Sequence, residues 1–144
     1  MGEYTYRYPR PSLTADNVLF DLEMKRVLLV LRGGEPFKGC WALPGGFFDF
    51  ADTDIEHTAA RELEEETTLT GIPLQLVGVF SKEGRDPRGR TVTVAFTAKV
   101  DPLKVHPKGG DDAAEARWHD LDKLPPLAFD HHEIIARAKE VLDN

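Results

Sequence analysis

A chain of 144 residues, 41% hydrophobic and 30% charged, has the composition of a globular protein long enough to bury one core, which excludes a disordered chain. A formal net charge of −7 argues against general nucleic-acid binding, and the longest apolar run, Val27 to Leu31, is too short to span a membrane. Met1-Gly2-Glu3-Tyr4 lacks the layout of a secretion signal, and the lone Cys40 cannot form an internal disulfide. The expectation is therefore one domain over residues 1–144 in a reducing, cytoplasmic setting.

Pro9 and Pro11 mark an extended entry. Leu13 to Leu22 and Val27 to Leu31 read as paired strands around a polar turn at Glu23 to Arg26. Gly33-Gly34-Glu35-Pro36 breaks the chain, and Trp41-Ala42-Leu43 reads as a short strand before Pro44-Gly45-Gly46. Phe47, Phe48 and Phe50 fit core positions slightly better than a site lining. A helix is predicted from about Asp54 to Leu69, opened by a Thr53-x-x-Glu56 capping box, with Ile55, Ala59 and Leu63 facing the core. Leu74 to Phe80 and Thr91 to Val100 read as strands, the second alternating Val92, Val94, Phe96, Ala98 and Val100 on one face. The stretch Lys82 to Arg90 is a polar hairpin or loop, and Gly109 to Glu115 is another. Asp130 is placed to cap a last helix, His131 to Leu142, with Ile134, Ile135, Ala138 and Leu142 inward. His131 and His132 point about 100° apart on such a helix, so a capping or surface role is expected of them rather than metal binding. Mixed strands and two helices give an α/β class.

The chemistry is concentrated in Arg61-Glu62-Leu63-Glu64-Glu65-Glu66. On a helix Glu66 lies about 40° from Glu62 and Glu65 about 60° on its other side, so three carboxylates share one edge while Glu64 points away. Like charges at these spacings repel and weaken a helix. A hard divalent cation reverses that sign, because it prefers oxygen ligands. The helix follows Pro44-Gly45-Gly46, where the backbone can approach a metal or phosphate with no Cβ in the way. The competing reading is a solvated acidic face paired with Arg61.

Gly46 followed by Arg61, Glu62, Leu63, Glu65, Glu66 and Leu69 resembles the Nudix box, which reads Gly, five residues, Glu, seven residues, then Arg-Glu-aliphatic-x-Glu-Glu-x-Gly-aliphatic. Glu35-Pro36-Phe37-Lys38-Gly39, Arg85-Asp86-Pro87-Arg88-Gly89-Arg90, Ala116-Arg117-Trp118 and Leu124 to His131 extend the likeness toward the ADP-ribose pyrophosphatase branch. The chain departs from the box in two places. Its loop is one residue longer, so that Asp52 or Thr53 falls where the family has a glutamate, and Thr68 replaces the box glycine.

The resemblance implies an α/β/α sandwich with a mixed β-sheet between helices. It implies a metal-dependent hydrolase that cleaves the diphosphate of a nucleoside diphosphate linked to another moiety, with ADP-ribose giving AMP and ribose 5-phosphate. Gly45, Glu62, Glu65 and Glu66 would hold Mg²⁺ or Mn²⁺. Arg61 would orient the carboxylates, and Glu62 and Glu65 would also serve catalysis. Asp112, ahead of its neighbours Asp111 and Glu115, is the favoured general base. Gly46, Arg85, Arg88 and Arg90 are the candidate substrate contacts, with an exposed hairpin tip as the competing reading for the arginines. The expected partner is a small nucleotide, without nucleic acid or membrane, and a homodimer is left open. Two alternatives stand beside this. One is a ligand-sensing Nudix-like module, although the chain after Asp130 has room for only one helix where the regulators carry a DNA-binding region. The other is a Nudix enzyme acting on oxidised nucleotides or dinucleotides.

Overall fold

In a computed structural model, which describes residues 5–108 and 113–143, the sheet is organised around β1 (Ser12–Asp21). One end of β1 pairs antiparallel with β2 (Arg26–Arg32), at Phe20 opposite Val27. The other end pairs with β4 (Gly45–Phe47), from Thr14 opposite Phe47 to Asp16 opposite Gly45. Along its whole length β1 also runs parallel to β6 (Thr91–Val100). The short β3 (Trp41–Ala42) and β7 (Ala113–Asp120) pair with β2, and β5 (Gln75–Phe80) forms the edge beyond β6. Two 13-residue helices, α1 (Ile55–Thr67) and α2 (His131–Asp143), complete the element order, with a short 3-10 turn at Leu121–Lys123. A mixed sheet between two helices is the expected class.

Alternation along β1 sends consecutive side chains into different cores. Val18 and Phe20 pack with Val27, Leu29 and the α2 residues Ile134, Ile135 and Ala138. Leu19 packs with Leu28, Leu69, Ala98 and the α1 residue Leu63. Each such side chain, when fully buried, contributes about 1.5–3 kcal/mol. β6 is buried on more than the apolar face its sequence marks. Thr91, Thr93 and Thr97 are buried as well, and Thr97 donates from Oγ1 to the Val18 carbonyl at 2.7 Å.

The start of α1 is shifted one residue from the capping box read in the sequence. Asp54 is the N-cap, its Oδ1 accepting from the His57 N–H at 2.7 Å, and the Thr53 N–H donates to His57 Nδ1 at 3.0 Å. Glu56 plays no reciprocal part because the shift places it one residue too early. At the other end Thr68, where the family pattern has glycine, adopts φ +66°. A β-branched residue is disfavoured there by its Cβ. Thr68→Gly is therefore expected to stabilise the chain by up to about 1 kcal/mol, after the loss from glycine's freer unfolded state. Thermal unfolding checks this, and a lower Tm would show that the left-handed turn stores no strain.

Candidate active site

The Pro44-Gly45-Gly46 turn lies directly against the carboxylate edge of α1. Gly45 donates its N–H to Glu66 Oε1 at 2.8 Å. A Cβ on Gly46 would collide with the Glu62 carboxylate, and one on Gly45 with Asp16 and the Ala15 carbonyl. Both positions need glycine because of these close approaches, not because of a special φ. Glu64 is exposed on the opposite side of the helix, as the helical spacing requires.

Arg61 organises this edge. Its Nε and Nη2 bind the two oxygens of Asp52 at 2.8 and 3.0 Å, and Nη1 reaches Glu62 Oε1 at 2.8 Å and Glu65 Oε2 at 3.2 Å. Nη2 also donates to the Phe47 carbonyl at 3.0 Å. Asp52 is 7% exposed and accepts further bonds from Thr58 Oγ1 and the Asp49 N–H. The Arg61 guanidinium, against the opposing effect of burial, holds the Asp52 carboxyl well below the usual carboxylate range. Asp52 in turn pushes the Arg61 pKa up. The extra loop residue thus leaves Asp52 as the arginine's anchor, and Thr53 beside the helix cap.

Glu66 is in the opposite condition. Burial pushes its carboxyl up to about 8; the Gly45 N–H opposes this, while the charges of Glu62 and Asp16 add to it. Burial also raises Glu62, against the pull of Arg61. Glu62 and Glu66, desolvated and facing other carboxylates, are short of positive charge when ionised, and a divalent cation supplies it. Among the described residues no three acidic, histidine or cysteine side chains already converge on one coordinating point. Glu62 and Glu65 lean to Arg61, and Glu66 to Gly45. Even so, Arg61 is bonded to only one oxygen of Glu62, and the glycine turn leaves backbone accessible beside it. This all-oxygen donor set fits a hard cation.

A cavity of about 670 Å³ opens in front of this edge. The arginine loop divides there. The Arg85 side chain is almost fully buried, and Nε and Nη2 form a two-point pair with Asp130 at 2.9 and 2.8 Å while Nη1 donates to Thr93 Oγ1 at 2.7 Å. It reaches the cavity wall with its charge already matched, and it occupies the Asp130 carboxylate expected to cap α2. That helix starts on the Asp130 backbone carbonyl instead, which accepts from the Glu133 N–H at 2.9 Å. Arg88 lines the cavity, anchored by Asp86 at 2.9 and 3.1 Å, with its guanidinium 4.9 Å from the Phe47 ring centre and 5.3 Å from that of Phe129. Arg90 is exposed and does not line the cavity.

Several lining residues were not legible beforehand. Arg32 points into the cavity, its Nε bonded to the Pro36 carbonyl at 2.7 Å. Burial and the nearby Arg88 charge lower its pKa, against the charges of Glu66, Asp86 and Asp16. Phe47, Phe48 and Phe50 are 46%, 40% and 67% exposed and are not core, and the first two line the cavity. His131 is neither capping nor superficial. It is 5% exposed, accepts the Leu43 N–H at Nδ1 (3.0 Å), and meets Asp16 Oδ2 from Nε2 at 3.2 Å. Asp111 and Asp112 lie outside the described residues, and Glu115 is paired with Arg117.

Glycine turn, carboxylate helix and mixed sheet together define a Nudix fold, and the NUDIX domain model matches residues 10–138. The chain belongs to that family and is a Nudix hydrolase. It is 42% identical over 128 residues to an ADP-ribose pyrophosphatase of Methanocaldococcus jannaschii, covering 89% of this chain and 73% of that protein. It is 34% identical over 142 residues to an ADPR-responsive transcriptional repressor of Acinetobacter baylyi, covering 95% of this chain but only 56% of the repressor. Among solved structures, the Nudix domain of Shewanella oneidensis NrtR complexed with ADP ribose superposes with a TM-score of 0.86 at 35% identity, covering 94% of this chain and 90% of that one.

Proposed function

We propose that this chain hydrolyses the diphosphate of ADP-ribose to AMP and ribose 5-phosphate, using Mg²⁺ or Mn²⁺. The observation that carries the proposal is the packing of the glycine turn onto the desolvated carboxylates of α1, a costly arrangement without a cation. The 42% identical pyrophosphatase supports the choice of substrate. Gly45, Glu62, Glu65 and Glu66 would hold the metal. When bound, it screens the diphosphate and makes water a stronger nucleophile at neutral pH. Arg61 keeps Glu62 and Glu65 oriented through charge-assisted bonds. Asp112 takes the proton of the attacking water as its oxygen bonds to phosphorus and the bridging P–O bond breaks. Gly46, which lines the cavity beside Glu62, would contact the diphosphate, and Arg88, with Arg32, supplies positive charge to the distal part of the substrate.

A screen of ADP-ribose, NADH, diadenosine polyphosphates and nucleoside triphosphates with Mg²⁺, following AMP or phosphate release, tests this directly. ADP-ribose is expected to have the highest kcat/KM, and Glu64→Gln should leave it within about twofold. A second reading, a sensor that binds ADP-ribose without turnover, is favoured by the likeness to the repressor and to the Nudix domain solved with that ligand. Tight ADP-ribose binding with no product at any metal concentration would establish the sensor instead.

The divided arginine loop gives a separate expectation. Arg88→Ala should raise KM for ADP-ribose roughly 5–30-fold, worth about 1–2 kcal/mol, with kcat little changed, the pattern of lost uniform binding. Arg85→Ala should instead lower Tm, because it strands Asp130 at a cost of about 3–5 kcal/mol. Arg90→Ala should do neither. Equal KM effects at Arg88 and Arg90 would return the loop to an exposed hairpin tip.

A further inference from the structure

We propose that Asp16 and Asn17 of β1, together with His131 of α2, clamp the Leu43-Pro44-Gly45 turn from both faces of the sheet and so set its distance from the carboxylates of α1. Consecutive residues of a strand point to opposite faces, and here each takes hold of the same turn. On the α1 side, Asn17 is 0% exposed. Its backbone N–H donates to the Pro44 carbonyl at 2.8 Å, and its Nδ2 donates to that carbonyl at 3.2 Å and to the Ala59 carbonyl of α1 at 3.0 Å. Both amide hydrogens are thereby used. Its Oδ1 is buried with no partner among the described residues, so the amide is kept for its donors. One side chain thus ties the turn to α1 one helical turn before Glu62 and Leu63.

On the other side the chain of contacts runs through α2. The Leu43 N–H can only donate, so His131 Nδ1 must be the acceptor and the ring proton sits on Nε2, which donates to Asp16. Asp16 lies opposite Gly45 in the β1–β4 ladder and so close that Gly45 has no room for a Cβ. Leu43 is thus held by His131, Pro44 by Asn17 and Gly45 by the ladder beside Asp16. The result is delivered at the Gly45 N–H, which meets Glu66 at 2.8 Å. These are positioning residues. They act through the turn, and their importance for metal binding rests on the proposed function above.

Amide exchange by NMR on the metal-free protein, and Mn²⁺ titration by calorimetry without substrate, test the clamp. His131→Phe keeps the ring and removes both bonds. It is expected to speed exchange at Leu43 and Gly45 by more than tenfold relative to the middle of α1, and to weaken Mn²⁺ binding by more than tenfold. Ile134→Ala, which opens a cavity under the same helix, should lower Tm yet leave Mn²⁺ affinity within threefold. Asp16→Asn, which retains an acceptor for His131, should lose less than fivefold where Asp16→Leu loses more than tenfold. Mn²⁺ affinity in His131→Phe within threefold of the parent, or an equal loss in Ile134→Ala, overturns the clamp. Should His131→Phe fail to fold, the Asp16 pair decides, and equal affinities in the two overturn it. If the parent chain binds no Mn²⁺, the metal reading falls, and unchanged exchange at Leu43 and Gly45 would then reject the clamp on its own terms.

Discussion

Glu66→Gln should reduce divalent-metal affinity and lower turnover by at least about 100-fold, equivalent to about 2.7 kcal/mol, while making the metal-free protein more stable above pH 7. The gain follows from the sign of the shift. A carboxyl raised to about 8 holds its proton longer in the folded chain than in the unfolded one. The stability it contributes is fully present below its ordinary value near 4.5 and is lost as pH rises through about 8. In that window the metal-free parent should lose up to about 1.4 kcal/mol per pH unit, and Glu62, raised for the same reason, pulls the same way. Glutamine retains an acceptor for the Gly45 N–H and never ionises, so the variant's stability curve should be flatter there. Metal reverses the parent's trend, because binding displaces the proton. Its affinity should tighten by up to about tenfold per pH unit across the window. Thermal melts and calorimetry at pH 5, 7 and 9, each with and without Mg²⁺, measure all of this. A parent protein whose metal-free stability rises from pH 5 to 8 would show that Glu66 is not held protonated by its surroundings.

A large loss of stability is expected from Arg61→Ala. It leaves Asp52 buried with its strongest partner gone and removes the bonds that separate Glu62 from Glu65. Removing one member of a buried pair costs about 3–5 kcal/mol, so Tm should fall by on the order of 10 °C. Mg²⁺ should recover part of the loss, since it neutralises Glu62 and Glu65 but has no access to Asp52. Arg61→Lys should recover less than its charge suggests, because an ammonium group cannot hold Asp52 with two parallel bonds while also reaching Phe47 and Glu62. Asp52 carries the acid side of the profile. Its depressed carboxyl contributes stability above the ordinary value near 3.8, and that stability is lost as pH falls toward its folded-state value. The metal-free protein should therefore be most stable near pH 4–5, with Asp52→Asn removing the acid limb and Glu66→Gln the alkaline one. An Arg61→Ala protein as stable as the parent would mean that the arginine is an ornament on a solvated acidic face.

How these residues became legible differs from one to the next. The carboxylate edge was readable in advance because helical geometry alone places Glu62, Glu65 and Glu66 together and Glu64 apart, whatever surrounds the helix. The core stripe of α1 and the apolar pattern of α2 were readable for the same reason, as were the strands whose apolar residues recur at a period of two. The glycine pair before α1 was informative because only its spacing to the carboxylates mattered.

Other features depended on partners far away in the chain. β4 is three residues long and is a strand only because β1 offers it a ladder, so no local period could announce it. The choice between Asp52 and Thr53 turned on which carboxylate or hydroxyl the loop swings under Arg61. Asp52 wins by taking a two-point pair with the guanidinium and further bonds from Thr58 and Asp49. His131 sits on a helix end whose burial is decided by docking against β1 and the turn at Leu43, contacts spanning 88 residues of sequence in one case. Three arginines in one loop looked alike until Asp130 claimed Arg85, Asp86 and two phenylalanine rings held Arg88, and Arg90 was left outside the cavity. The sequence by itself determined which residues share a helix or strand face, since that follows from backbone geometry. Which loop side chains meet that face was decided only by tertiary packing, where each buried charge had to find its partner.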